Sequence, residues 1–413
     1  MDKPTPTLLS SKTPLWLVLA GLVVLAIIMR SPIVVLGSLA PLLKQTLAVS
    51  DELIGWLGAM PMPAFAMGSL MSPFLARRVG LENALLVMIV LMTVSVSGRV
   101  AGGVWTLFVG TAVMAVAIGF ANTLAAPLIK KHSPQHIALA TGLFSLCMSV
   151  FAGLSAWVVI PVVSWTSWQF GMGLWAVFGV VAFGLWAWVG KFKPVINNTQ
   201  STHLHTTHPN NAHNHHSNGN THTPFNAWRN INAWCLAVFM GLQSLLFYTV
   251  AAFLPSIGTA KGLSLATATE LAMTYQLVAP FAIIGMTWGI KRGVSVPAVA
   301  VVCAVFNFVG VLGINYLPAY LHLWSALIGF GGAAIFTLSL MLFSLRTYSS
   351  DTARDVSGMV QAIGYSIAFF GPLLMGGLYA HYQDWQMPLN VLATLMAINI
   401  VAAYFATREY MFG

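Results

Sequence analysis

The sequence has few charged residues and very few acidic ones. Of its 413 residues only 7% are charged, with nine carboxylates against eighteen lysines and arginines, while 58% are hydrophobic and the mean hydropathy is +0.82. A soluble protein of this length could not bury so much apolar surface, which excludes the soluble classes and predicts a chain that crosses the membrane several times. The net charge of +9 therefore indicates membrane orientation, and no nucleic-acid partner is expected.

Cysteine is almost absent. Cys147, Cys235 and Cys303 each stand alone inside an apolar stretch and form no CxxC pair. This spacing suggests neither a disulfide framework nor a metal site, so no metal or other cofactor is expected. The N-terminal apolar run is too long for a cleaved signal peptide and is interpreted as the first membrane span.

Long apolar runs dominate the rest of the chain. Stretches of about 20 residues, the length that crosses a bilayer as a helix, occur twelve times. The predicted spans are 14–43, 53–72, 83–101, 104–128, 138–162, 169–190, 231–256, 265–290, 294–315, 320–345, 355–380 and 386–408. The sequence thus predicts an all-α polytopic membrane protein with twelve transmembrane helices.

The basic residues between the spans fall mostly on one side. If both termini share a side, fourteen of the eighteen lie there, Lys44 and Lys261 lie opposite, and Arg30 and Arg99 lie within spans. An excess of lysine and arginine marks the cytoplasmic side, which predicts an inner-membrane protein with both termini in the cytoplasm. Arg99, near the outer end of the third span, is expected to extend its charge to the lipid headgroups.

A polar stretch at 191–227 divides the chain into 1–190 and 228–413, with six spans in each part. It is rich in Asn, Thr and His, so it is predicted to be a disordered cytoplasmic linker between two six-helix bundles. The seven histidines within 203–222 could bind a transition metal or sense pH. Their irregular spacing favours an inert linker.

The two parts resemble each other. Pro41 and Pro255 each stand where a first span is predicted to end, 214 residues apart, and Arg78 and Arg292 show the same offset. A similar offset of 215 relates Asn122 to Thr337. These matches predict a duplication, with two six-helix pseudo-repeats.

The residues 68–82, GSLMSPFLARRVGLE, resemble the signature loop of the major facilitator superfamily at Gly68, Leu70, Arg78 and Gly80. The resemblance implies a gating loop that includes Gly68, Arg77, Arg78 and Gly80. Arg77 stands where that family usually has an aspartate, which puts the usual charge-relay gating in doubt. The resemblance implies the family's fold, with parallel repeats about a central site near the midplane, and a transporter rather than an enzyme.

A narrower resemblance is to the cyanate permease and 2-nitroimidazole transporter group. It rests on the segments 29–43, 241–258 and 357–379, which are similar to that group's spans 1, 7 and 11. It implies secondary transport of a small solute across the inner membrane.

Arg30 is the main candidate for substrate binding, because a guanidinium in the middle of a span needs a partner, a water-filled cavity or a substrate. Of the nine acidic residues only Glu270 lies inside a predicted span, near its outer end, so a carboxylate partner for Arg30 is scarce. The alternative is a structural arginine that donates to backbone carbonyls. Pro32, two residues on, could free such carbonyls.

Other candidates are polar side chains on predicted cavity helices. Gln243 lies close to the position equivalent to Arg30, whereas Tyr248, about 140° further around the helix, is not expected to share its face. The full set of predicted substrate-binding residues is Arg30, Asn122, Gln243, Thr337, Gln361 and Tyr365, with Tyr275 and Gln276 as looser candidates. For each neutral residue, helix packing is an equally good interpretation.

The interpretation that follows is a secondary transporter of a small anion or small polar solute, cyanate-like in size, that works by alternating access. Its expected partners are the substrate and the lipid bilayer, and it is expected to act as a monomer. The alternatives are efflux of small neutral drugs such as nitroimidazoles and, in a different class, a membrane sensor of metal or pH that uses the histidines of 203–222.

Reporter fusions test the topology. Fusions at residue 210 and at the C-terminus should both report the cytoplasm, because fourteen basic residues share that side. Activity of a periplasm-specific reporter such as alkaline phosphatase at either position would contradict the twelve-span topology.

Overall fold

The fold is taken from a computed structural model that describes residues 13–48, 51–192 and 225–412. Most of the predicted linker, including its seven histidines, lies outside these residues. Within them the protein is all α-helical, and the one β-type contact is an isolated bridge between Thr347 and Phe412. This is the architecture expected of a chain in lipid, where helices satisfy their own backbone hydrogen bonds.

Sixteen α-helices are found in the described residues. They are α1 (Leu15–Ser38), α2 (Ala40–Leu47), α3 (Asp51–Ala59), α4 (Pro61–Val79), α5 (Leu81–Gly98), α6 (Val104–His132), α7 (Ile137–Trp165), α8 (Trp168–Gly173), α9 (Ala176–Val189), α10 (Ile231–Ala260), α11 (Leu265–Leu277), α12 (Ala279–Lys291), α13 (Val296–Tyr316), α14 (Leu321–Leu345), α15 (Ser350–Tyr382) and α16 (Gln386–Thr407).

Eleven helical stretches in the described part of the chain are long and apolar enough to cross a membrane. The second span is formed by α3 and α4 together, with a break at Met60 before Pro61. Proline is favoured in the first turn of a helix, because the backbone N–H that it lacks would have no partner within the helix there. With this broken span the protein has the twelve transmembrane helices that the sequence predicts.

The prolines have effects that differ from those expected. Pro41 lies in the first turn of α2, after α1 has already ended at Ser38. Pro255 was predicted to end its span, but α10 continues through it to Ala260. Pro32 likewise lies inside an unbroken α1. Neighbouring helices support a transmembrane helix around a proline, so its presence alone does not set a helix end.

The same packing is repeated in the two parts of the chain. Helix α1 packs on α7 and α9, and six spans later α10 packs on α15 and α16. In the same way α4 packs on α6, and α11 with α12 packs on α14. The two parts meet where α15 packs against α4 and α6, and where α7 packs against α12 and α14.

One end of the bundle collects many of the basic side chains, and it is called the basic end here. Arg77, Lys130 and Arg354 lie there, at the ends of α4, α6 and α15. The hydrogen bonds by which Arg77, Asn122, Lys130, Ser344 and Ser357 join the two parts lie on this side of the molecule, from Asn122 outward.

Arg99 was predicted to reach the lipid headgroups, and this prediction is wrong. Its side chain is fully buried at the end of α5, where Nη2 donates to the carbonyl of Met172 at 3.5 Å. Helix α6 packs over it so closely that a Cβ on Gly110 would lie 2.4 Å from the Arg99 Cβ. The close approach of α6 leaves the long side chain no path to the surface.

Gly68 was predicted to belong to a gating loop, but it lies inside α4. A Cβ on Gly68 would lie 2.1 Å from the carbonyl oxygen of Val116 on α6, and a Cβ on Gly119 would lie 2.4 Å from that of Phe65 on α4. These two glycines allow α4 and α6 to pack backbone against backbone, as small residues do between membrane helices. Gly80 does end α4, with a φ of +87° that favours glycine.

Replacement of Gly68 tests this contact. Gly68→Ala should lower the free energy of unfolding by about 1–3 kcal/mol, because the added methyl group forces α4 and α6 apart. Gly37→Ala on α1 is the matched control, since a Cβ there meets nothing within 4 Å. Thermal melting of the purified variants in detergent measures the effect, and equal melting temperatures would contradict the assignment.

Candidate functional site

A central cavity lies between the two parts of the chain. It has a volume of about 910 Å³, counted with its opening to solvent, and is lined by residues of α1, α4, α6, α7, α10, α11, α12, α14 and α15. The polar and aromatic lining residues are Arg30, Phe65, Asn122, Ser145, Ser149, Gln243, Ser244, Phe247, Tyr248, Tyr275, Gln276, Phe336, Thr337 and Tyr365.

Arg30 is the one charged side chain among the described residues that line this cavity. It lies in the middle of α1 and is half-buried. None of the ion pairs in the described part of the chain involves it. Its positive charge therefore faces the cavity without a carboxylate partner, which is the situation that the scarcity of acidic residues predicts.

Aromatic rings surround the guanidinium. The Arg30 Cζ lies 5.1 Å from the centre of the Phe247 ring, which is cation–π distance. Tyr248, Tyr275 and Tyr365 line the same cavity as Arg30. These rings offer the cation π electrons and hydroxyl oxygens but no negative charge.

Tyr248 was not expected to share a face with Gln243, yet both residues line the cavity. Between them Ser244 and Phe247 also face it, so the cavity covers a sector of about 140° of α10. The prediction failed because it assumed a narrow polar stripe. A helix at the junction of two bundles has a wider exposed sector.

Asn122, Gln361 and Tyr365 are brought together between α6 and α15. The Asn122 Nδ2 donates to Gln361 Oε1 at 2.9 Å and to the Tyr365 hydroxyl at 2.8 Å. Gln361 is fully buried and lies behind the cavity wall, whereas Asn122 and Tyr365 are part of the wall. This group joins the two parts of the chain at the cavity floor, and a role for it in substrate binding stays a prediction.

Gln243 and Thr337 also reach the cavity, but their polar atoms have partners within the protein. The Gln243 Nε2 donates to the carbonyl of Gly332 at 2.9 Å, and the Thr337 hydroxyl donates to the carbonyl of Ala333 at 2.9 Å. The hydrogen bond of Gln243 ties α10 to α14. Contact of either residue with substrate likewise stays a prediction.

The basic end is held closed by charged and backbone contacts. Arg77 donates to Asp355 at 2.6 Å, and Asp355 also accepts from Arg354 at 3.1 Å. Lys130 donates to the backbone carbonyls of Ser344 and Thr347. Arg77 thus makes an ion pair between the two parts of the chain, although it stands where the signature loop usually has an aspartate.

Arg78, the other basic residue of the predicted gating loop, makes a different contact. Its Cζ lies 5.0 Å from the centre of the Phe74 ring on the same helix. The four residues of the predicted loop therefore have different roles. Gly68 packs α4 against α6, and Gly80 forms the turn at the end of α4. Arg77 contacts the other part of the chain, whereas Arg78 contacts its own helix.

Metal binding finds no support in the described residues, which contain no cluster of three or more His, Cys, Asp or Glu side chains. Glu270, the carboxylate predicted inside a span, lies in α11 with an exposed side chain and does not line the cavity. The site is thus a cavity of uncharged polar and aromatic side chains around one arginine.

Comparison with known families agrees with this arrangement. The sequence pattern described as the Major Facilitator Superfamily matches residues 19–369. The chain belongs to this family. The family and fold are those of secondary transporters of small solutes and not of enzymes, so the protein is a polytopic membrane transporter.

Several known proteins are similar to this chain over nearly its whole length. The 2-nitroimidazole transporter of Escherichia coli (strain K12) is 31% identical over 409 residues, which cover 98% of each chain. The cyanate transport protein CynX of the same organism is 25% identical over 396 residues, 92% of this chain and 95% of that protein. The solved structure of the proton:xylose symporter XylE has a TM-score of 0.73 at 10% identity and covers 94% of each chain.

Phe247 and Asp355 were missed by the sequence analysis of this major facilitator protein. Phe247 lies four residues after Gln243, so helical spacing places both on one face and could have predicted the ring as a partner for Arg30. No local sequence pattern predicts the role of Asp355, because its ion pair with Arg77 joins residues 278 positions apart.

The ion pair at the basic end can be tested by spin labelling. Arg77→Ala should increase the population open at this end by up to about fivefold, since Arg77 is 59% exposed and exposed pairs contribute at most about 1 kcal/mol. Double electron–electron resonance between labels at Val79 and Tyr348, in a protein with its cysteines replaced, measures that population.

Arg78→Ala is the matched control for this measurement, because Arg78 contacts Phe74 within its own helix. It should leave the distance distribution unchanged. An equal shift in both variants would mean that general loss of positive charge, and not the pair with Asp355, opens the basic end.

Proposed function

We propose that this transporter moves a small anion across the inner membrane by alternating access. The observation that supports the proposal is Arg30, which is the one charged lining residue among those described and has no carboxylate partner there. An anion at the midplane would otherwise face a large desolvation penalty, which a facing guanidinium offsets.

The surroundings of Arg30 suit a small anion with oxygen or nitrogen acceptors. The planar guanidinium offers several donors in a fixed fork. The Tyr365 hydroxyl accepts from Asn122 and so keeps its own proton to donate. The similarity to the cyanate transport protein CynX is consistent with such a substrate.

The alternating-access part of the proposal rests on where the two parts of the chain touch. Arg77, Asn122 and Lys130 form hydrogen bonds across the two parts between the cavity floor and the basic end. If the basic end faces the cytoplasm, as the positive-inside rule predicts, this is a state closed to the cytoplasm. Transport then requires the contacts of Arg77 and Asn122 to break while the opposite end closes.

The cavity lies within one chain, between its two parts. The proposal is that one chain is the transporting unit and acts as a monomer. The substrate and the lipid bilayer are then its functional partners.

Transport of a small neutral nitroaromatic compound is the second candidate. It is favoured by the 31% identity to the 2-nitroimidazole transporter and by the rings of Phe247, Tyr248 and Tyr275 in the cavity, on which a planar ring can stack. A nitro group also presents oxygen acceptors to Arg30. The two candidates differ in whether a formal negative charge on the substrate is required.

The effect of ligands on thermal stability distinguishes the two candidate functions. Small anions, with cyanate and 4-hydroxybenzoate as the first probes, should raise the melting temperature of the wild type, since a ligand at 100 times its Kd adds about 2.7 kcal/mol of stability. Arg30→Gln should lose this gain, and Arg30→Lys should keep part of it because the charge remains. The fourteen tryptophans allow unfolding to be followed by intrinsic fluorescence.

Arg292→Gln is the matched control, because Arg292 also stacks on an aromatic ring, at 4.6 Å from Trp288, but lies outside the cavity. This variant should show the same rise in melting temperature with anions as the wild type. If Arg30→Gln gains as much from the anions as wild type does, Arg30 does not hold the anion. Stabilisation by 2-nitroimidazole alone would favour the second candidate.

A further inference from the structure

The charge of Arg30 has no compensating charge in the described cavity. The lining residues include no aspartate, glutamate, lysine or histidine, so neither a fixed negative charge nor a titratable carboxylate or imidazole faces the guanidinium there. Three of the acidic residues, Glu82, Asp351 and Asp355, are paired with cations at the basic end. An empty cavity therefore carries one net positive charge.

This charge matters most when the cavity closes. During alternating access both ends must be shut for a moment, and water that hydrates Arg30 in the open cavity has to leave. A guanidinium without a paired anion is costly to bury, whereas a bound anion neutralises it and satisfies its donors. The ring of Phe247 offsets only part of that cost, because a cation–π contact is weaker than an ion pair.

The membrane potential acts on the same charge. A cavity with a monovalent anion bound is neutral, so its movement between the two open states is nearly independent of the potential. The empty cavity moves a positive charge through part of the field, so the potential speeds its return in one direction and slows it in the other. The loss of hydration slows the empty protein in both directions and leaves the loaded protein free to move.

We propose that this transporter is an anion exchanger, in which the loaded protein changes state rapidly and the empty protein does so slowly. The inference rests on the proposed transport of a small anion and adds to it the mode of transport. An anion carried one way is then replaced by a second anion carried back, and net movement of the first anion alone is slow.

Efflux from proteoliposomes tests whether the protein exchanges anions or moves one anion alone. Vesicles are loaded with carbon-14-labelled cyanate or, in a second set, 4-hydroxybenzoate, and the membrane potential is held at zero with valinomycin and equal potassium concentrations. Efflux is measured into buffer without the anion and into buffer with the same unlabelled anion. The unlabelled anion outside should speed efflux at least about tenfold, which corresponds to about 1.4 kcal/mol between the two barriers.

Phe247→Leu gives a second readout that is independent of the absolute rate. Without the ring, the empty cavity loses its partial compensation, so the ratio of exchange to net efflux should rise by about threefold or more. Phe253→Leu is the matched control on the same helix, because the Phe253 ring packs against Trp385 at 5.2 Å and lies outside the cavity. The ratio of exchange to net efflux in Phe253→Leu should equal that of wild type.

Each other outcome has a definite meaning. Equal rates of exchange and net efflux in wild type would overturn the exchanger, and so would a Phe247→Leu ratio at or below that of wild type. An anion that stabilises the purified protein in an Arg30-dependent way but shows no exchange would also overturn it. If no anion stabilises the protein, the proposed anion transport itself fails, so the two failures are distinguishable.

Discussion

A guanidinium placed in the interior of a membrane protein without a carboxylate partner is the constraint on which this structure depends. Arg30 is half-buried in the middle of α1, beside the ring of Phe247. Near the midplane such a charge is costly unless water or a ligand can reach it, and the cavity between the two parts of the chain provides that access. The helices that meet there have wide polar and aromatic sectors for the same reason, as the four lining residues of α10 illustrate.

The contacts that close the basic end are the counterpart of this cavity. Just beneath it, Asn122 donates to Gln361 and Tyr365 across the boundary between the two parts. Further out, the pair of Arg77 and Asp355 and the contacts of Lys130 complete the seal. Neutral hydrogen bonds thus lie next to the cavity and charged ones near the aqueous face, where water lowers both their strength and the cost of breaking them.

Backbone packing limits which residues of the signature loop are free to move when the basic end opens. Gly68 is committed to the contact of α4 with α6, where a methyl group would meet the Val116 carbonyl, and so belongs to the rigid part of the molecule. Arg77 and Arg78 are neighbours with different roles, because the first points across the boundary to Asp355 and the second folds back onto Phe74. Arg99 shows the same effect, since its burial under α6 depends on Gly110.

The sequence by itself determined the class, the number of spans, the internal repeat and the candidate Arg30, because apolar length, charge spacing and a charge within a span are local properties of the chain. It also indicated that Arg30 has no carboxylate partner, since only nine acidic residues exist to provide one. Only the tertiary structure decided what each polar side chain contacts. The ring of Phe247 over Arg30, the place of Gln361 behind the wall and the burial of Arg99 depend on how helices distant in sequence rotate and approach, and periodicity within one helix carries no information about that.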